Sequence, residues 1–275
     1  MLVTPGNCPD PFYIFVNQAP TVARQNFELT RTFISTGFVL AFPEFVPAGV
    51  RVIFGKQGRP ALLSAGPDMP VDPDLRSGYV NGTLEYLPLG MNPMYFGFMN
   101  PFTLSTVASY YVEADAELVR REVEPLAPSR LSAIYAFGDY QSCLDANVRH
   151  GWPLDQVRAF RLRPHEHARV WRANMELVSL AQPAYRGASL LNWEEARTYW
   201  RNYWTESAPV TFAFLEDGKT NVSHASGCTW EYLIEGVLDP VPWPTNVAVA
   251  AGTEAPSAQA PRQSKRDRKA KRKRR

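Results

Sequence analysis

The sequence predicts an α+β fold for residues 1–245, followed by a flexible linker over 246–261 and a disordered basic tail over 262–275. Three observations carry this prediction. Short apolar runs separated by Gly and Pro indicate strands, a few amphipathic stretches indicate helices, and the composition changes abruptly near residue 245. Hydrophobic residues make up 45% of the chain and charged residues 20%, which is typical of a folded protein.

The first hundred residues are predicted to be mainly β. The runs "FYIFV", "GFVLAF" and "VRVIF" have the length and the β-branched and aromatic content of buried strands. The segment "GPDMPVDPDLRSG", residues 66–78, is predicted to be a long polar loop because of its Pro, Asp and Gly content.

The second half is predicted to alternate helices and strands. "EADAELVRREVEPLAP" predicts a short helix that ends at two prolines, "SRLSAIYAF" a strand, "GDYQSCLDANVRHGW" a helix and "DQVRAFRLR" a further strand. "NWEEARTYWRNYW" predicts a helix with an N-terminal capping box, Asn192 and Glu195, and with one aromatic face. We interpret that aromatic face, which includes Tyr203, as packing surface.

The charge of the chain is divided unevenly between body and tail. From Arg262 onward there are ten Lys and Arg residues and one acid, a net charge of +9, whereas the rest of the chain has a net charge of −7. Such a tail is expected to bind polyanions through phosphate contacts, with nucleic acid or a ribonucleoprotein as the expected partner; a solubilising terminus without a partner is the alternative. The residues predicted to bind are Lys265, Arg266, Arg268, Lys269, Lys271, Arg272, Lys273, Arg274 and Arg275.

Cysteine usage and the terminal sequence indicate the compartment. Cys8, Cys143 and Cys228 are far apart and form no CxxC pair, which predicts neither a disulfide framework nor a zinc site. The first residues have no pattern of a secretory signal, and Pro and charged residues interrupt the most apolar stretch. We therefore expect a cytoplasmic protein without membrane contact, or a nuclear one if the host is eukaryotic.

The segment "TWEYLIEGVLDPV" places an acidic side chain at the start of an apolar strand. Alternation puts Glu231 on one face with Leu233 and Glu235, and Trp230 on the other. Glu231 then lies either on the wet outer face of an edge strand or in a cleft that holds a substrate. Glu235 is expected to be exposed, because Gly236 indicates the end of the strand.

Four stretches together resemble the ADP-ribosyltransferase superfamily, in particular a bacterial or phage branch. They are "EADAELVRREVEPLAPSRLSAIYAFGDYQSCLDA", "RVWRANMELVSL", "EEARTYWRNYW" and "TWEYLIEG", within residues 105–240. In that family a short helix leads into an Arg-bearing strand, and a late strand begins with the catalytic glutamate. The His-x-Thr start that some members carry is missing from this sequence.

The resemblance implies a fold of split antiparallel β-sheets with a few packed helices, and a transferase that splits NAD. It implies that the Glu231 carboxylate favours the positive charge that develops on the ribose. Arg130 would hold the pyrophosphate, Ser132 on the same strand face would orient the ligand, and Tyr135 or Trp230 would stack on the nicotinamide.

Less specific interpretations of the same residues stay open. Arg130 in a Pro-Ser-Arg turn also fits a surface arginine or one that pairs with a carboxylate, and Tyr135 also fits the core. His165 and His167 flank Glu166 but lack an evident third ligand, so no metal is expected. The two functional hypotheses are a mono-ADP-ribosyltransferase-like enzyme with NAD as substrate, and a non-catalytic nucleic-acid-associated accessory or structural protein.

Overall fold

A computed structural model of the 275-residue chain describes residues 2–3, 7–19, 21–45, 50–56, 59–65, 73–84, 101–179, 193–206, 211–216, 219–224 and 229–243. The predicted linker and basic tail lie outside these residues. The chain divides into two compact units, residues 1–241 and 242–275.

The described elements confirm the α+β class. The helices are α1 (Thr21–Thr30), α2 (Thr36–Ala41), α3 (Pro73–Asn81), α4 (Pro101–Val123), α5 (Tyr140–His150) and α6 (Trp193–Thr205). The strands are β1 (Phe12–Phe15), β2 (Phe33–Ile34), β3 (Val50–Lys56), β4 (Arg59–Ala65), β5 (Ile134–Phe137), β6 (Val157–Leu162), β7 (Arg169–Asn174), β8 (Thr211–Glu216), β9 (Lys219–His224), β10 (Trp230–Glu235) and β11 (Val237–Pro240). No helix in the described part of the chain is long and apolar enough to cross a membrane.

Seven strands form one sheet in the order β2-β11-β6-β1-β5-β10-β7, and every neighbouring pair is antiparallel. Strands β3 and β4 form a separate antiparallel hairpin, and so do β8 and β9. The expectation of two separate sheets over residues 105–240 is not confirmed in that form, since β5, β6, β7, β10 and β11 all belong to the seven-stranded sheet.

This sheet bends back on itself. Strands β10 and β11 are four strand positions apart in the sheet, about 19 Å if it were flat at roughly 4.8 Å per strand. Only Gly236 separates them along the chain, so their ends are within about 7 Å. The chain therefore passes directly from the half of the sheet that contains β5 and β7 to the half that contains β6 and β2.

The inner face of the bent sheet is a hydrophobic core to which all seven strands contribute. Its buried strand residues are Phe12, Ile14, Phe33, Ile134, Ala136, Phe160, Val170, Ile234 and Leu238. A second core lies on the opposite face of β5, β7 and β10, where Leu233 and Trp171 pack against the aromatic side of α6 and against α4. The alternation of β10 between these two cores confirms the predicted division of its side chains into two faces.

Several local predictions are wrong, each for an identifiable reason. "GFVLAF" was expected to be a strand, but it forms most of α2, because a short run that is apolar on all sides has no period to distinguish the two states. The predicted loop over 66–78 is helical from Pro73, while residues 66–72 lie outside the described residues. The short helix predicted from Glu113 is the end of α4, which has 23 residues.

Candidate functional site

Arg130 and Glu231 form a direct ion pair, although 101 residues separate them in the sequence. Nη1 of Arg130 lies 2.7 Å from Oε1 of Glu231, and each side chain is 6% exposed. Glu231 starts the face of β10 that is directed toward α4 and α6, and its neighbour across the β5–β10 pair is Phe137. The Glu231 carboxylate is thus not on a wet outer face, as one interpretation of the sequence had it.

Tyr203 completes a triangle with this pair. Nη1 of Arg130 donates to the Tyr203 hydroxyl oxygen at 2.6 Å, and the Tyr203 hydroxyl donates to Oε1 of Glu231 at 2.8 Å. Burial raises the pKa of Tyr203 well above its usual value, so the hydroxyl stays protonated and remains a donor. Two donors therefore hold the same carboxylate oxygen.

Glu113 binds the other edge of the guanidinium. Nε of Arg130 donates to Oε2 of Glu113 at 2.8 Å, and Nη2 donates to Oε1 at 3.3 Å. Burial by itself lowers the pKa of Arg130, but the Glu113 carboxylate, with Tyr203 and Glu231, outweighs this effect and raises the pKa well above its usual value. The guanidinium is a fixed positive charge between two acidic side chains.

Glu231 presents its second oxygen differently. Oε1 accepts both hydrogen bonds described above, whereas no described residue donates a hydrogen bond to Oε2. A carboxylate that is anchored through one oxygen has the other available to a ligand. Oε1 therefore holds the Glu231 carboxylate in place, and Oε2 is the oxygen that can contact a ligand.

The site opens on a cavity of about 450 Å³, within the size range of small-molecule sites. Three of its lining residues, Glu113, Arg130 and Glu231, belong to the network, and with one cation and two carboxylates they give the described part of the wall a net charge of −1. The other lining residues are largely apolar or aromatic: Phe15, Gln18, Tyr135, Ala136, Phe137, His150, Trp152, Met175, Val178 and Ser179. Such a cavity favours a planar ligand with positive charge.

The sequence-predicted site residues separate into two groups. Glu231, Arg130 and Tyr135 line the cavity, and the Tyr135 ring lies 5.0 Å from the centre of the Arg130 guanidinium. Ser132 and Trp230 are not among the described residues that line it. The structure therefore brings three of the five predicted residues together.

Ser132 and Trp230 have other contacts. Residues 129–132 form a turn rather than a strand, so Ser132 does not share a strand face with Arg130, and its hydroxyl donates to the buried Glu235. Glu235 is fully buried, which corrects the expectation that it is exposed. Trp230 is on the opposite face of β10 from Glu231, and its ring lies 4.2 Å from the Arg172 guanidinium.

The role expected for Arg130 also changes. Four of its five N–H groups donate to Glu113, Tyr203 and Glu231, which leaves a single Nη2 hydrogen for a ligand. A pyrophosphate would have to displace the carboxylates. The contacts make Arg130 a residue that positions Glu231, in keeping with the alternative interpretation of an arginine paired with a carboxylate.

Sequence reasoning missed Glu113 and Tyr203 as members of the site. A signal for each exists in retrospect, because an acid on the apolar side of α4 and a tyrosine on the apolar side of α6 both need polar partners when buried. Glu117 on the next turn of α4 shows the same pattern, but it is a structural group that binds Arg120 through both oxygens.

The two histidines considered as metal ligands pack among aromatic rings. The His167 ring stacks on Phe42 at 5.0 Å, and the His165 ring contacts Phe38, Phe42 and Phe45. No group of three or more His, Cys, Asp and Glu residues suited to a metal ion occurs within the described ranges.

Comparison with known proteins adds nothing to this geometry, since neither a protein-family model nor a curated protein matches the chain.

Proposed function

We propose that the chain is a mono-ADP-ribosyltransferase-like enzyme that transfers ADP-ribose from NAD to a macromolecular acceptor. The observation that carries the proposal is the Glu231 carboxylate, which is anchored through Oε1 by Arg130 and Tyr203 while Oε2 has no described partner beside an aromatic cavity. Residues 230–240 join two halves of one bent sheet, which is related to, but not the same as, the two separate sheets that the resemblance implies.

The charge of the cavity fits the nicotinamide end of NAD. The oxidised nicotinamide ring is planar and positively charged, and the cavity offers aromatic faces and a net negative wall. Phe15, Tyr135, Phe137 and Trp152 are the rings available for contact with it. We therefore assign the stacking role that the resemblance implies to Tyr135, because Tyr135 lines the cavity and Trp230 is not among its described lining residues.

The chemistry follows from the position of the carboxylate. As the bond between the ribose C1′ and the ring nitrogen breaks, the electron pair goes to the ring, nicotinamide leaves as a neutral molecule, and positive charge develops on the ribose. Oε2 of Glu231 accepts hydrogen bonds from ribose hydroxyls and stabilises this charge. A nucleophile of the acceptor then bonds to C1′ and loses its proton.

Arg130 and Tyr203 act through Glu231 in this proposal. They hold the carboxylate in one orientation before the ligand arrives, so that the transition state requires no rearrangement. The basic tail would add association with nucleic acid or a ribonucleoprotein, which brings the acidic folded unit to its acceptor.

The test is the release of nicotinamide from NAD by the full chain and by Glu231→Gln. The glutamine carbonyl can accept the hydrogen bonds of Arg130 and Tyr203, which directs the amide NH₂ to the place of Oε2. Because this replaces an anion by a hydrogen-bond donor, we expect the rate of nicotinamide release to fall by about a hundredfold or more while the fold stays intact. Glu122→Gln, which makes the same change beside Arg197 on the surface of α4, is the matched control and should retain full activity.

A non-catalytic accessory protein is the second candidate. The near-complete engagement of Arg130 by side chains favours it, because a purely structural ion-pair network has the same contacts. Absence of NAD binding in calorimetry, with the folded state unchanged, would select this candidate over the enzyme.

A further inference from the structure

His150 is a polar residue of the cavity that the proposed chemistry does not use. It is the last residue of α5, and Gly151 in the left-handed conformation (φ 69°) ends the helix immediately after it. The amide of Gly151 donates to the Asn147 carbonyl at 2.8 Å, and the Asn147 side chain donates to the Trp152 carbonyl at 2.7 Å. These bonds fix His150 and Trp152 relative to α5, and both residues line the cavity.

The Nε2 atom of His150 is buried and has no hydrogen-bond partner among the described residues. Buried polar atoms in folded proteins are nearly always hydrogen-bonded, so an exception in a cavity wall points to a partner that enters the cavity. Because His150 lines the cavity, a ligand bound there can supply the missing hydrogen-bond partner of Nε2.

A continuous row of rings joins His150 to the carboxylate. The His150 ring lies 5.2 Å from the Trp152 ring, Trp152 lies 5.3 Å from Phe15, and Phe15 lies 6.0 Å from Phe137. Phe137 is the cross-strand neighbour of Glu231. One wall of the cavity thus has an acid at one end, aromatic faces in the middle and an unpaired imidazole nitrogen at the other end.

We infer that Nε2 of His150 hydrogen-bonds the carboxamide of the bound nicotinamide ring and so determines ring specificity. This inference rests on the proposed function. The carboxamide offers both a carbonyl acceptor and an NH₂ donor, so either neutral tautomer of the imidazole finds a partner on it. A ring without the substituent would leave Nε2 buried and unpaired, which is the situation in which binding sites discriminate best.

The test compares NAD with the analogous dinucleotide that carries an unsubstituted pyridinium ring, using calorimetric binding to the full chain. The wild-type protein should bind NAD about tenfold more tightly than the analogue, as expected for one hydrogen bond. His150→Asn, whose amide reaches only the position of Nδ1, should lose this preference. His150→Gln, whose amide reaches the position of Nε2, should retain most of it, and Val148→Ala on the exposed side of α5 should bind as the wild type does.

A second measurement does not depend on any variant. In protein labelled with ¹⁵N-histidine, addition of nicotinamide should shift the Nε2 resonance of His150 and leave those of His165 and His167 unchanged. The inference is overturned if NAD binds but the wild type and His150→Asn show the same preference, or if the His150 resonance does not move. If the wild type binds neither dinucleotide, the proposed function fails and the inference fails with it.

Discussion

Replacing Arg130 by methionine should strongly destabilise the fold, because the substitution keeps much of the side-chain volume but removes the charge between two carboxylates. The Glu231 side chain is only 6% exposed, whereas Glu113 is 25% exposed and can recover more water when the guanidinium is removed. The unpaired Glu231 charge thus dominates the cost. Breaking a buried pair in this way costs about 3–5 kcal/mol of unfolding free energy.

A second substitution separates the charge effect from lost packing. In the double variant Arg130→Met with Glu231→Gln no buried charge is left without a partner at position 231, and we expect it to regain at least about 2 kcal/mol relative to Arg130→Met alone. The assay is urea denaturation of the wild type, Arg130→Met, Glu231→Gln and the double variant. The unfolding free energies can be compared if the four proteins have the same dependence on urea concentration. Arg197→Met, which removes a surface pair with Glu122, is the control and should change little.

The thermal midpoint gives the same comparison independently. For a folded unit of this size, a loss of about 3–5 kcal/mol corresponds to a fall of roughly 10 °C. If Arg130→Met costs less than about 1 kcal/mol, or if the double variant is less stable than the single one, the network does not hold Glu231 as the geometry indicates.

Three further predictions concern other parts of the chain. Gly82→Ala should lower the unfolding free energy by about 3 kcal/mol or more, because a Cβ there would lie 2.3 Å from the Pro125 carbonyl oxygen at a φ of +72°. Gly151→Ala, at a φ of +69°, meets nothing within 4 Å and should cost only about 1 kcal/mol. Both costs are measured by urea denaturation, and similar values would contradict the packing at Gly82. Burial raises the pKa values of Tyr203, Tyr199 and Cys143 in the folded state. Their contribution to the unfolding free energy is therefore complete below the pKa values of the unfolded state and is lost as the pH rises. The unfolding free energy should fall above about pH 9–10, and a flat profile to pH 11 would refute this. Deletion of residues 262–275 should leave the thermal midpoint unchanged and should abolish binding to duplex DNA or RNA. In the full chain this binding should weaken steeply with salt, because up to about nine counterions are released. Undiminished binding by the truncated chain would place the contact on the folded unit.

The part of the site that could be predicted from sequence depended on strand alternation. Glu231 and Leu233 share a face of β10 because side chains alternate, and that relation needs only the local sequence. The burial of Glu235 could not be found in this way. Gly236 does end β10, as the sequence indicated, but the chain continues directly into β11 on the other half of the sheet, and the tertiary fold encloses Glu235.

The partners of Arg130 show the limit of local reasoning more clearly. Glu113 and Tyr203 are 17 and 73 residues away from it, on two helices whose packing against β10 no short motif describes. A buried acid and a buried tyrosine on apolar helix faces indicate that polar partners exist, but they do not identify them. The same holds for His150, whose place in the cavity depends on the turn at Gly151.

The central feature of the proposed enzyme is a ligand ribose held at the position of Glu231 Oε2, and a crystal structure of Glu231→Gln with NAD tests it most directly. We expect the nicotinamide ring in the cavity beside Phe15 and Tyr135, with a ribose hydroxyl within about 3 Å of the residue 231 side chain. NAD bound elsewhere on the folded unit, or a cavity that stays empty at saturating NAD, would contradict it.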